Sequence, residues 1–253
     1  MSDKTFFDDW IGRTIDLNTT GASSVWILTE KLSESYLQWS AEEYHLSPAT
    51  SAAYGTFLCN NVDNTDDVAI LRILMQIPYG GSEYAIHAER ARQATLTPNG
   101  TTQEELDAVR LLSENHCTAA PRIRTQETKV QDDSGIVPGG FLFYVLQDRA
   151  PGVQLSDELF WSYDRQERDQ IREAYKEAWS AWVRSGVHVI TSISHLFWDR
   201  GTGRITIASI ALAVLLEPGE KAEWSDTDWL AAGLSRTTGP NQERVYWKGD
   251  WKW

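Results

Sequence analysis

From Val25 through Leu28, Leu32 and Tyr36 to Trp39, apolar residues recur at three- and four-residue steps, and Glu30, Lys31, Glu34, Glu42 and Glu43 fall largely off that stripe. The spacing predicts an amphipathic helix from about Ala22 to Tyr44. Next, Tyr54 to Val62 and Val68 to Met75 have the composition of strands, around the polar turn Asp63-Asn64-Thr65-Asp66-Asp67. Glu104 to Asn115 predicts a second helix, capped by Thr101 or Thr102, with Leu106, Val109 and Leu111 or Leu112 on its apolar side. Two more strands flank a polar turn from Gln131 to Gly135, the second running from Phe141 to Leu146. Gln147 to Gly152 then breaks the pattern as a hinge would.

The clearest helix spans Asp164 to Ser185. Asp164 and Glu167 form a capping-box-like start, Ile171, Tyr175, Ala178 and Trp182 share a face, and Gly186 ends it. A short strand (Leu196 to Trp198), a turn from Asp199 to Gly203 and a strand from Arg204 to Ala208 follow. Asp226 to Leu234 predicts one more short helix. Residues 1–21 carry little periodicity and are expected to wrap the body as an arm, while Trp247, Trp251 and Trp253 are placed to pack back on it.

Composition narrows the function classes. The 253 residues are 42% hydrophobic and 23% charged, ordinary for a soluble globular protein. A net charge of −13 argues against nucleic acid and anionic membranes as partners. Cys59 and Cys117 provide neither a disulfide framework nor metal-ligand spacing. The N-terminus lacks the pattern of a signal peptide, and the apolar run from Ile205 to Leu216, broken by Thr206 and Ser209, is too short to span a bilayer. A cytoplasmic location is expected. Twelve tryptophans are unusual, and serve either as packing aromatics or as the lining of a pocket for an apolar ligand.

The stretch from Gly186 to Ala211, GVHVITSISHLFWDRGTGRITIASIA, has a loop followed by a hairpin. It resembles the catalytic segment of protein kinases and aminoglycoside phosphotransferases, H-x-D-x-x-x-x-N followed by a metal-binding Asp. Aligned on that motif, His188 takes the histidine position, Ile190 the catalytic Asp, His195 the metal-binding Asn, and Ser209 the second metal-binding Asp. The strand VAILRI is similar to V-A-I-K, with Arg72 at the lysine. Gly55 stands alone where kinases carry a glycine-rich loop. The segments AILRILMQIP, TQEELDAVRLLSENHCTAAPRI, VPGGFLFYVLQDRAPGVQL, ERDQIREAYKEAW and HLFWD resemble the short kinase-like proteins of filamentous fungi, related to the aminoglycoside/choline phosphotransferase group, over roughly residues 47–212.

The resemblance implies an α+β, two-lobed protein-kinase-like (aminoglycoside-phosphotransferase-like) fold with an antiparallel N-lobe sheet and a reduced helical C-lobe. The implied divisions are an arm and helix over 1–46, an N-lobe over 47–148 and a C-lobe with a tryptophan-rich tail over 149–253. Its departures all fall on the phosphotransfer machinery. Ile190 supplies neither base nor oxygen, Ser209 only a neutral hydroxyl, and His195 a nitrogen that a hard cation disfavours. No metal site and no cofactor are therefore expected. The implied function is a metal- and ATP-independent enzyme acting on a small organic molecule in the interlobe cleft, by cyclisation, isomerisation or dehydration in fungal secondary metabolism. The alternatives are a non-catalytic pseudokinase scaffold and a residual small-molecule phosphotransferase, for which Asp199 is the one nearby carboxylate, though its position suits a turn residue. His195, His188 and Arg72 are the catalytic candidates, with His188 also suited to bracing the loop. Glu105, a candidate partner for Arg72, joins Phe141, Phe143, Thr191, Ser192 and Ser209 as candidate substrate contacts.

Overall fold

Thr14–Thr19 and Ala22–Leu37 are strands, β1 and β2, so the helix expected from Ala22 to Tyr44 is not formed. Only Ala41–Leu46 is helical there (α1). The pairing of β2 with Ser51–Asn61 (β3) explains the misleading spacing. Leu28 faces Cys59 and Glu30 faces Leu58; Lys31 faces Phe57 and Ser33 faces Thr56. Thr29 and Leu32 are thus extra residues in two bulges. Each bulge adds a residue to a two-residue repeat and stretches it toward the three- and four-residue steps of a helix. Trp26 and Leu28 keep the strand alternation and are buried, whereas Leu32 and Tyr36 of the supposed stripe are 47% and 40% exposed.

The computed structural model describes residues 4–19, 22–46, 49–98, 100–209, 213–217, 219–237 and 251–253. It forms two units, Met1–Gln103 with Ile123–Arg149 and Glu104–Arg122 with Ala150–Trp253. The first unit adds strands β4 (Val68–Ile77), β5 (Ile123–Val130) and β6 (Phe141–Gln147), and the short helix α2 (His87–Ala91). Helix α3 (Thr101–Glu114) begins in it and continues into the second. Thr102 lies inside α3 rather than ahead of it, and its hydroxyl bonds the Tyr54 hydroxyl at 2.6 Å.

The six strands make one antiparallel sheet in the order β1-β2-β3-β4-β6-β5. Its outer strands are fastened to each other by side chains. Thr125 Oγ1 donates to Asn18 O and Lys129 Nζ to Asp16 O, both at 2.6 Å. Alternate residues of every strand but β5 fill the inner face, including Leu17, Trp26, Phe57, Leu71, Ile73, Tyr144 and Leu146. The expected arm supplies Phe7 and Trp10 to this core, with Phe7 edge-on to Phe57 at 5.7 Å. Gly55 makes room for that contact, since a Cβ there would lie 2.6 Å from the Phe57 ring. Each such fully buried aromatic contributes about 1.5–3 kcal/mol.

In the second unit, α4 (Asp157–Ser162) precedes α5 (Arg165–Arg184). Asp164 Oδ1 accepts the Glu167 N–H at 2.8 Å and starts α5. Gly186, at φ +84, stops it. The remaining elements are small: β7 (Val153–Gln154), β8 (Val187–Val189), β9 (Leu196–Asp199), β10 (Arg204–Ile207), β11 (Ala213–Leu215), α6 (Thr227–Ala231), β12 (Arg236–Thr237) and β13 (Trp251–Lys252). Strand β9 pairs with β10 and β7, β8 with β11, and β12 with β13.

Tryptophans serve this unit as packing groups. Trp179, Trp224, Trp229 and Trp253 form a chain of edge-to-face contacts with centroids 5.2–5.4 Å apart. Trp247 and the Trp251 side chain lie outside the described residues. Among the described residues no helix is long and apolar enough to cross a membrane.

Candidate functional site

Helix α5 positions the loop that follows it. Its buried face carries Ile171, Ala174, Tyr175, Ala178, Trp179 and Trp182, and the Trp182 indole donates to Ala119 O at 3.2 Å. The backbone N–H of Ile207 on β10 donates to the same carbonyl at 2.9 Å, so helix and hairpin share one anchor. On β8, Val187 and Val189 are buried, which turns His188 to the opposite side. There its ring meets Trp179 edge-on at 5.8 Å. Asp228 lies within electrostatic reach of His188, and burial holds its carboxyl above the usual aspartate range. These neighbours fit a bracing group.

Beyond β8 the backbone leaves the sheet. Ile190 is 51% exposed, while Thr191 is buried and its hydroxyl has no hydrogen-bond partner among the described residues. A single 3-10 turn, Ile193–His195, presents His195. Its Nδ1 lies 3.3 Å from Ser192 Oγ, which lies 2.9 Å from Ser194 Oγ. The carbonyl of His195 accepts the Ala208 N–H at 2.9 Å, tying this turn to the residue before Ser209. The structure therefore joins His195, Ser192 and Ser194 in one hydrogen-bonded group.

Asp199 holds its own turn. Its carboxylate accepts the Gly201 N–H at 3.0 Å and the Thr202 hydroxyl at 2.7 Å, and the Thr202 bond in particular lowers its pKa. Among the described residues, no three His, Cys, Asp or Glu side chains are grouped to hold a metal ion.

The remaining sequence candidates lie on other elements. Arg72 lies on the outer face of β4, opposite Thr56 and Val145. Phe141 and Phe143 share that face, with rings 5.6 Å apart. Glu105 is buried on α3, in the second unit.

One group went unread in the sequence. Glu167, expected to complete a capping box, instead buries its carboxylate between the Trp198 indole at 3.3 Å and the Arg200 guanidinium at 3.1 Å. Beside it an open groove of about 860 Å³ runs along Arg165, Asp169, Glu173 and Glu177 to Trp198 and Arg200. The only sequence signal was a cap-position acid three residues after Asp164, which points to a local role and not to a partner on β9.

No protein-family model matches the chain, and no curated protein is similar to it. Among solved structures, the kinase PK-1 of the Cydia pomonella granulovirus is similar over 72% of this chain at 11% identity, with a TM-score of 0.39. The match spans 52% of that kinase, about half its length.

Proposed function

We propose that the chain is a kinase-like protein that does not transfer phosphate, and that it instead performs metal- and ATP-independent proton chemistry on a small organic molecule. His195 is the group that moves the proton. The order of elements supports the kinase-like part: a strand bearing Arg72, a helix, two strands, a long helix, a loop and a hairpin. The observation that carries the chemical part is the hydroxyl–hydroxyl–imidazole group of Ser194, Ser192 and His195, in the segment where a kinase would hold its metal. Imidazole titrates nearest neutral pH, and a bonded hydroxyl orients it for accepting or delivering a proton. Cyclisation, isomerisation and dehydration need such a step and no phosphate. At the base position Ile190 offers a hydrocarbon side chain, and the Asp199 carboxylate is engaged by its own turn. In this reading His188 braces the loop, Arg72 polarises a substrate oxygen, and Glu105, Phe141, Phe143, Thr191, Ser192 and Ser209 contact substrate.

The test is incubation of a fungal small-molecule extract with wild type and His195→Ala in the presence of EDTA, followed by mass spectrometry. Wild type should yield a product isomeric with its precursor or one water lighter, and His195→Ala should be slower by about 100-fold or more. Full activity in His195→Ala, or conversion that requires magnesium and ATP, would overturn the proposal. Absence of any conversion would leave the non-catalytic scaffold as the better reading.

A further inference from the structure

The stretch TDWLAAGLS, from Thr227 to Ser235, carries a short helix together with its stop. Helix α6 gives way at Ala232, and Gly233 then turns left-handed at φ +80. The Gly233 N–H donates to Leu230 O at 3.1 Å and the Leu234 N–H to Trp229 O at 2.8 Å, the paired bonds of a Schellman turn. Glycine suits that position because, without a Cβ, it takes a left-handed backbone at no steric cost.

The turn is tied to α5 twice. Arg172, 3% exposed, donates from Nε to Leu234 O at 2.8 Å, and the Trp229 indole donates to Arg172 O at 3.2 Å. Trp229, Leu230 and Leu234 are all buried, so apolar packing holds the turn at the same place as its hydrogen bonds.

This fixed turn lies against the His195 loop. A Cβ added to Gly233 would sit 3.4 Å from Ile193 Cβ and 3.6 Å from Ile193 Cγ2, at the tight end of van der Waals contact. Ile193 opens the 3-10 turn that presents His195, and the His195 N–H bonds Ser192 O at 3.0 Å, so contact and imidazole share one turn of backbone. The Ala208 N–H on His195 O is a second hold on the same turn.

We infer that Gly233 is a positioning residue for His195: the Schellman turn of α6, anchored on Arg172, backs Ile193 and so sets where the imidazole stands. Packed interiors yield little, so a side chain added at Gly233 pushes Ile193 instead of filling a void. A proton-transferring group displaced by about 1 Å can lose about 100-fold in rate. The inference rests on the reading of His195 as the group that moves the proton, but the placement itself is measurable without substrate.

The experiment is NMR of the five histidine imidazoles in the full chain, with the His195 signals assigned by His195→Ala, alongside the conversion assay. Gly233→Asn sets a side chain against Ile193, and asparagine is the other residue that accepts a left-handed helix stop. It should move the His195 signals, leave those of His45 and His87 in place, and slow conversion about tenfold. Gly12→Asn is the control, at φ +84 with nothing within 4 Å of an added Cβ, and should leave the His195 signals as in wild type. In an Ile193→Ala background, which makes room, Gly233→Asn should move His195 far less. Unmoved His195 signals in Gly233→Asn, an equal shift in Gly12→Asn, or an undiminished shift in the Ile193→Ala background would overturn the inference. Should Gly233→Asn not fold, Ile193→Ala alone trims the same contact from the loop side, and unchanged His195 signals there would overturn it equally. Signals that move as stated while no conversion occurs would contradict the proton-transfer reading and leave the positioning of His195 standing.

Discussion

Cys59 points into the sheet core, where burial pushes its thiol up to about 12, while Cys117 is half-buried. A thiol reacts as the thiolate, so at about pH 8 the folded chain should titrate one cysteine with a disulfide reagent and release the second only on unfolding. Two fast equivalents in the native state would contradict the placement of Cys59. Asp228 makes a second residue-scale prediction. Burial, with a smaller push from Asp226, raises its carboxyl, against the Ser225 N–H and His188, which pull it down. A carboxyl raised on folding contributes stability below its unfolded pKa and loses it as pH climbs through the raised value. Asp228→Asn should therefore melt higher than wild type at about pH 7 and alike at about pH 3, since both side chains are then neutral. Gly152 shows what one position can hide. At φ +86 it passes so near β9 that a Cβ would lie 2.1 Å from Trp198 O. Gly152→Ala should cost at least about 2 kcal/mol, measurable by denaturant titration. The sequence marked Gly152 as a breaker but carried no sign of Trp198, a neighbour only through the pairing of β7 with β9.

At the scale of elements, unbroken periodicity was legible and interrupted periodicity was not. Strands β4 and β6 and helix α5 lie where their residue patterns put them, because each keeps one repeat from end to end. The bulges at Thr29 and Leu32 gave β2 the spacing of a helix, and β1 became visible only as its partner. Strands β7, β8 and β11 span two or three residues and exist by long-range pairing, beyond the reach of any local pattern. The cap of α5 was readable because its bond is local. Asp164→Ala should destabilise the chain by about 1 kcal/mol, whereas Asp164→Ser should largely retain stability. An equal loss in both would mean that the Asp164 charge, and not its cap, matters. For the candidate site, the motif alignment singled out His195 but not its hydrogen bond to Ser192, and Glu167 with Trp198 and Arg200 went unread, since its partners lie on β9 and the turn beyond.

Across the whole molecule, a net charge of −13 disfavours extended polyanions, although the cations Arg168, Arg236 and Lys252 gather around the Trp161 ring. The twelve tryptophans, ambiguous as a count, resolve largely into packing groups, with Trp26 in the sheet core and Trp179, Trp224, Trp229 and Trp253 as a ladder in the second unit. The central claim is that the His195 segment handles protons and does not move phosphate. ADP formation from ATP and magnesium, followed over hours with a broad panel of hydroxyl- and amine-bearing acceptors, tests it most directly. The rate should equal the protein-free background for wild type and His195→Ala alike; magnesium-dependent turnover by wild type that His195→Ala loses would contradict it.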